Sequence, residues 1–329
     1  MYEHYIALDW SQSNMAVARL TGHSKNTKDI DVKSDIKELQ FYLKGLRGSK
    51  ILTFEETDTS QWLYTELKDY VDEILVCDPY RNHLLKEGAK TDKIDAIKLV
   101  KLLKADMLKP VFHSGDDFIY LRKIVSAYED VVKAGVRLQN QRFALFKSEG
   151  KSVKTDRLDG AHNDFAMEGI ERGLEVYDSE KARYEEEFKR LSKKHKQIKL
   201  LQDIPGISTI SAVKIVSRVV DPRRFEVRNN FLSYCGLIKL KRISGGKEYG
   251  KKNPRCCKTL KSVFKSAAAA VIPENRNNSM KEYYQYLIEV KKLSEHNARN
   301  AVARRIATLA LGVLKTQKKF EPYRRLKEK

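Results

Sequence analysis

The chain has 329 residues, and its 64 Lys and Arg against 44 Asp and Glu leave it at +20. That length allows two or three domains with full cores, and seven Pro with 16 Gly argue against long disordered linkers. Four cysteines with no CxxC pair and no His at zinc spacing exclude a disulfide scaffold and a zinc site. No apolar run reaches membrane length, and MYEHYIALDW is not a signal peptide, so a reduced, cytoplasmic chain with no membrane partner is expected.

The charge is segregated. Residues 1–115 hold 17 basic and 18 acidic side chains, residues 116–199 hold 18 and 16, and residues 200–329 hold 29 and 10. A neutral region joined to a strongly basic one predicts a polyanion, best a nucleic acid, as partner of the basic part.

In chain order, HYIALD (4–9) reads as a strand, with MAVARL (15–20) as its hairpin partner after the polar turn Ser11–Asn14. Ile36, Leu39, Leu43 and Leu46 fall at helical spacing in Ser34–Leu46, with Ser34 or Asp35 as cap. KILTFE (50–55) and EILVC (73–77) read as buried strands around a helix over Asp58–Val71. Thr91–Ala105 is a helix with Thr91 as N-cap. This alternation predicts a mixed sheet flanked by helices. Phe118, Leu121, Val125, Tyr128 and Val132, then Tyr184, Phe188, Leu191, His195 and Ile198, mark two long helices joined through the Gly-containing stretch 150–173. They fit a coiled-coil-like seam, a spacer or self-association device, and equally two helices of one compact bundle. Further on, Ile204-Pro205-Gly206-Ile207 is a tight turn before a helix over Thr209–Val220, and Phe225–Leu240 is mixed. Lys241–Asn253 is polar, basic and Gly-rich and reads as a loop, followed by helices over Cys256–Ile272 and Asn297–Lys315. Tyr283, Tyr284 and Tyr286 could stack on bases or pack a helix.

Two sets of residues carry chemistry. Asp9 and a Glu at 55 or 56 end strands, while Asp92 and Asp95 lie three apart on one helix face. Converging carboxylates repel unless cations sit among them, and hard oxygen donors suit Mg²⁺ or Mn²⁺. Taken singly, Asp9 also fits a turn cap, and Asp92 and Asp95 fit a helix N-terminus. The second set is Ser244 before Gly245-Gly246, among Lys241, Arg242, Lys247, Lys251, Lys252 and Arg255. A serine hydroxyl there could attack phosphorus and conserve the bond energy in a covalent ester; it could equally be a bystander in a phosphate-binding loop. Gly206 belongs either to a backbone phosphate contact of helix-hairpin-helix type or to an ordinary Pro-Gly turn.

IALDWSQ (6–12), FEET (54–57) and AKTDKIDAIKLVKLL (89–103) resemble the DEDD transposases of the IS-one-ten insertion-sequence family, relatives of the Piv-type DNA invertases. IPGISTISAVKIVSRV (204–219) and FLSYCGLIKLKRISGGKEYGKK (231–252) resemble that family's transposase-20 domain. Where the family usually has Gly after the Thr of the Glu motif, this chain has Asp58. The resemblance implies an α/β RNase H-like (RuvC-like) mixed-sheet domain over 1–115, whose metal ligands are Asp9, Glu55, Asp92 and Asp95. A long helical coiled-coil-like region over 116–199 and a mainly α-helical basic domain over 200–329 would follow. It makes Ser244 the nucleophile of a composite site that cuts and rejoins double-stranded donor and target DNA. It further implies a guide RNA encoded by the element, a homo-oligomer from dimer to tetramer, and a prokaryotic, nucleoid-associated location. A Piv-like invertase, a RuvC-like junction nuclease that uses water, and a nucleic-acid-binding protein without catalysis are the alternatives.

Overall fold

The computed structural model describes residues 1–24, 26–80, 91–113, 118–158, 160–273 and 278–322. They form two compact units, Met1–Asp116 and Asp117–Lys329.

The first unit is a five-stranded sheet between helices. β1 (His4–Trp10), β2 (Asn14–Thr21) and β3 (Lys28–Lys33) form an antiparallel meander. α1 (Ile36–Gly45) then crosses over so that β4 (Lys50–Glu55) lies parallel to β1, and α2 (Ser60–Leu67) leads to β5 (Glu73–Cys77), parallel to β4. The resulting order, β3-β2-β1-β4-β5, puts the parallel strands β1 and β4 at the centre. α3 (Asp92–Lys104) completes the unit. This mixed α/β sheet agrees with the RNase H-like expectation.

Alternation along β1 separates two cores. Ile6 and Leu8 pack with Leu39 and Leu43 of α1 and with Leu63 and Leu67 of α2. Each fully buried Leu of this layer contributes about 1.5–3 kcal/mol. Tyr5 and Ala7 face the opposite layer, with Ala16 and Ala18 of β2 and with Ala96, Leu99, Val100 and Leu103 of α3. The alanines on both sides of this contact let α3 lie close to the sheet. Asp35 caps α1, its carboxylate accepting from Lys37 N at 2.8 Å and Glu38 N at 3.3 Å. Thr91 caps α3, its Oγ accepting from Ile94 N at 3.3 Å.

The second unit is mainly helical. α4 (Ile119–Ser148) and α5 (Ala161–Lys194) form a long antiparallel pair, joined over residues 149–160, while Gly169 and Gly173 lie inside α5. Small residues set their separation: a Cβ on Gly135 would run into the Tyr177 ring, and Leu138 sits 3.0 Å from where a Cβ of Gly173 would be. α6 (Lys196–Gln202), α7 (Thr209–Val219), α8 (Arg228–Tyr234), α9 (Lys258–Val271), α10 (Ser279–Glu289) and α11 (Glu295–Thr316) pack around one core. Leu121 and Val125 of α4 and Phe188 and Leu191 of α5 belong to that core together with Ile198 and Leu201, so residues on both sides of position 199 pack as one body. The Ala298, Ala301, Ala307 and Ala310 stripe of α11 is buried in it, and Tyr283, Tyr284 and Tyr286 pack against it.

Two expectations are corrected. The connection between the long helices does not extend over 150–173, because residues 161–173 belong to α5. Lys241–Asn253 is not a loop: β6 (Leu240–Ser244) and β7 (Lys247–Lys252) form an antiparallel ribbon. Gly245 and Gly246 are its two-residue turn, with φ of +53° and +76°. A turn positive in φ at both positions matches the twist of a hairpin and favours glycine. The cations along both strands, all exposed, hide this regularity from a hydrophobic-pattern reading.

Candidate functional site

The four carboxylates singled out in the sequence come to one end of one face of the first unit's sheet. Asp9 has the parity of Tyr5 and Ala7, so it belongs to the α3 side of β1. Glu55 has the parity of Ile51, which packs in that same layer. The parallel register runs from His4↔Lys50 to Leu8↔Phe54, and one further step sets Asp9 beside Glu55 at the ends of the two central strands. Both are half-buried.

α3 runs against β1. Lys104, near its end, donates to Thr21 O at 2.9 Å and Ser24 O at 3.0 Å, and Thr21 is the register partner of His4. The twelve-residue rise from Asp92 to Lys104 is about 18 Å, and the five steps from His4 to Asp9 are about 17 Å. The start of α3 therefore reaches the level of Asp9. Asp92 lies four residues before the buried Ala96 and Asp95 four before the buried Leu99, so both occupy the sheet-facing side of the first turn or its border. Lys93 is turned to the edge strand, 2.7 Å from Asp29, which holds its ammonium above the ordinary lysine range. Lys90, which opens the KTDKID stretch, lies outside the described residues.

Backbone placement brings the four residues together, but the side chains do not form a closed cage. Among the described residues no three His, Cys, Asp or Glu side chains stand close enough to hold a metal ion. The donor set nevertheless fits a hard divalent cation: four carboxylates, half-buried or exposed, and no nitrogen or sulfur ligand.

The end of β4 is pinned by a residue that sequence reasoning passed over. Ser60 is fully buried; its Oγ donates to Glu55 O at 3.1 Å and accepts from Thr57 N at 2.6 Å. This links the backbone of Glu55 to the first residue of α2. The spacing FEETDTS, with a Ser five residues after the Glu, was the available signal.

In the second unit, the register of the ribbon sorts its charges by face. Ser244 pairs with Lys247, Arg242 with Gly250 and Leu240 with Lys252, so Ser244 shares its face with Arg242, Lys247 and Lys252. Lys241 and Lys251 pair across the other face with Ile243 and Glu248, after a bulge between Arg242 and Ile243. Glu248 lies 2.9 Å from Lys241 and 3.7 Å from Lys251, and Lys241 holds its carboxyl below the usual range. The Ser244 face thus carries cations with no acidic partner among the described residues, whereas the opposite face sets one glutamate against its two lysines. Ser244 is exposed, as are Lys241, Arg242, Gly245, Gly246, Lys247, Lys251, Lys252 and Arg255. No Cβ contact restricts Gly245 or Gly246, so the turn conformation alone calls for glycine there.

Gly206 differs. Its φ is +87°, and a Cβ would lie 2.6 Å from Ala267 O and 2.7 Å from Val271 Cγ1 of α9. Glycine here serves both the turn and close packing on α9. Burial pushes the Cys235 thiol far above its ordinary range, which keeps it protonated and inert.

A mixed sheet with acidic residues at the ends of its central strands, followed by helices, is consistent with an RNase H-like DEDD domain. Residues 6–150 match the DEDD transposase family of IS110 elements, and residues 198–285 match the transposase IS116/IS110/IS902 family. The chain belongs to the IS110 family of transposases, with an N-terminal DEDD domain and the family's C-terminal domain. Enzymes of this class cut and rejoin DNA, and a DEDD domain brings dependence on a divalent metal. No individually curated protein matches the chain. No described helix is long and apolar enough to cross a membrane.

Proposed function

We propose that this transposase moves an insertion sequence by a covalent phosphoserine route, with Asp9, Glu55, Asp92 and Asp95 as metal ligands and Ser244 as nucleophile. The observation that carries the reading is the pairing of two complementary features. One is a set of four carboxylates at one end of one sheet face. The other is a serine at the end of an exposed ribbon, on the face whose cations lack acidic partners among the described residues.

Bound Mg²⁺ or Mn²⁺ would polarise the scissile phosphate and stabilise the leaving oxygen. The chain's own residues do the rest. Arg242, Lys247 and Lys252 draw the DNA backbone to the Ser244 face. The Ser244 Oγ loses its proton and forms a bond to phosphorus, while the bond from phosphorus to the strand's ester oxygen breaks and that oxygen takes up a proton. Attack by the hydroxyl of another strand reverses the step, releases Ser244 and rejoins the DNA without an external energy source. Acting on donor and target duplexes requires at least two copies of the chain, and a tetramer would supply one serine for each of four strands. Sequence choice would rest on an element-encoded guide RNA, with the protein contacting backbone and shape. Gly206 and Arg255 are further proposed nucleic-acid contacts.

The test is to trap and map the adduct. Wild-type protein with Mg²⁺ and its element DNA should yield a denaturation-resistant protein–DNA species attached at Ser244, and Ser244→Ala should yield none. Strand cleavage by Ser244→Ala at the wild-type rate would overturn the serine route in favour of a water-using nuclease. RNA-free protein that recombines DNA at full rate would overturn the guide.

A further inference from the structure

β4 ends at Glu55, and a second glutamate, Glu56, follows it directly. Glu55 has the parity of the α3 face. Glu56, whose N–H donates to Cys77 O at 2.9 Å, is held elsewhere. Its Oε2 lies 2.5 Å from His113 Nε2. The His113 side chain is only 6% exposed, against 40% for Glu56, and its ring stacks on Tyr64 of α2 with centroids 5.6 Å apart and planes at 27°. The other ring nitrogen, Nδ1, is buried and has no hydrogen-bond partner among the described residues. Nε2–H therefore donates to the carboxylate, and this bond is what orients the ring.

His113 is delivered by the segment that follows α3. Asp78 N donates to Lys109 O at 3.1 Å, Cys77 bridges to Pro110, and Val111 N donates to Val76 O at 2.7 Å. This segment runs antiparallel along β5 as far as Val111, and the His113 side chain two residues further on meets Glu56, just past the end of β4. The chain stretch that begins with Asp92 and Asp95 thus returns to hold the neighbour of Glu55.

We propose that His113 is a positioning residue for the metal site: it captures Glu56 on the α2 side, so that Glu55 alone of the pair is turned toward Asp9, Asp92 and Asp95. The inference rests on the proposed role of those four carboxylates. Oxygen-seeking cations accept any carboxylate within reach, so a released Glu56 would compete with Glu55 or drag the strand end with it.

The experiment measures Mn²⁺ binding to the full-length protein without DNA, from the electron paramagnetic resonance signal of free Mn²⁺, alongside the Mg²⁺ dependence of DNA cleavage. His113→Phe keeps the stacking on Tyr64 and removes the donor. It should weaken Mn²⁺ binding about tenfold and raise the Mg²⁺ needed for half-maximal cleavage by a similar factor, with a smaller effect on the rate at saturating Mg²⁺. His113→Gln, which restores an N–H donor, should recover most of the affinity. Glu56→Gln added to His113→Phe should recover it too, by removing the competing charge. Unchanged Mn²⁺ binding in His113→Phe, or a loss that neither second change relieves, would overturn the positioning role. Wild-type protein that binds Mn²⁺ but cuts no DNA would overturn the recombinase reading and leave this inference intact.

Discussion

The two candidate halves of the chemistry rest on opposite kinds of scaffold. The carboxylates end the central strands of a five-stranded sheet, with Ser60 bonded to the Glu55 carbonyl and α3 laid on small residues. Ser244 ends a two-stranded ribbon on which nearly every residue is exposed. A metal site needs its ligands held to fractions of an ångström, which central strands provide. A nucleophile that must meet a DNA strand, bond to it and hand it over gains from a support that adjusts locally, and an isolated two-stranded ribbon is marginally stable on its own. The comparison separates a stiff half from a compliant half, and each can be broken alone.

The largest effect should come from the stiff half. Asp9→Asn removes one ligand charge and leaves the side-chain shape. Mg²⁺-dependent strand cleavage should fall on the order of 10³-fold or more, with the circular dichroism spectrum and melting temperature unchanged. Retained cleavage would remove Asp9 from the site.

Breaking the ribbon turn comes next. Gly245→Ala with Gly246→Ala forces two side-chain-bearing residues into positive φ, at about 1–2 kcal/mol each. The ribbon contributes no side chain to the buried core, so the melting temperature should stay fixed while adduct formation drops about tenfold or more. A fall in melting temperature would show that the ribbon is integral to the second unit. Ser60→Ala gives the converse pattern. It removes the hydroxyl that joins the Glu55 carbonyl to the Thr57 N–H in a partly buried setting, so urea denaturation should show a loss of about 1 kcal/mol.

How far the sequence could be read follows the same division. Periodicity found the two central strands and their terminal acids, because buried strands and helix caps leave local signatures: Asp35 and Thr91 both cap where the sequence suggests. It missed β3, KDIDVK, whose apolar residues are only Ile30 and Val32 and whose Asp29 and Asp31 break the pattern of a buried strand. It missed the 108–113 segment, which has one bridge and two flanking bonds rather than a ladder, and with it the hold of His113 on Glu56. The ribbon read as a loop because exposed cations stand where a sheet usually puts apolar residues, although Gly245-Gly246 between two short runs is a hairpin signature. The choice of Glu55 over Glu56 came from motif resemblance; the parity of β4 now supplies a physical reason for it.

The smallest effect tests the two faces of the ribbon. Arg242 shares the Ser244 face and makes no ion pair among the described residues, whereas Lys241 lies on the other face, 2.9 Å from Glu248. Each phosphate contact releases about one counter-ion, so the slope of log affinity against log salt counts the cations that touch DNA. Arg242→Ala should reduce that slope by about 1, measured by fluorescence anisotropy on duplex DNA. Lys241→Ala should reduce it by less, since Glu248 already neutralises that charge, and Glu248→Gln should move the slope the opposite way by freeing Lys241 and Lys251. Equal losses for Arg242→Ala and Lys241→Ala would mean that DNA lies along both faces, and the ribbon would then act as a wedge between strands rather than as a platform that presents Ser244 from one side.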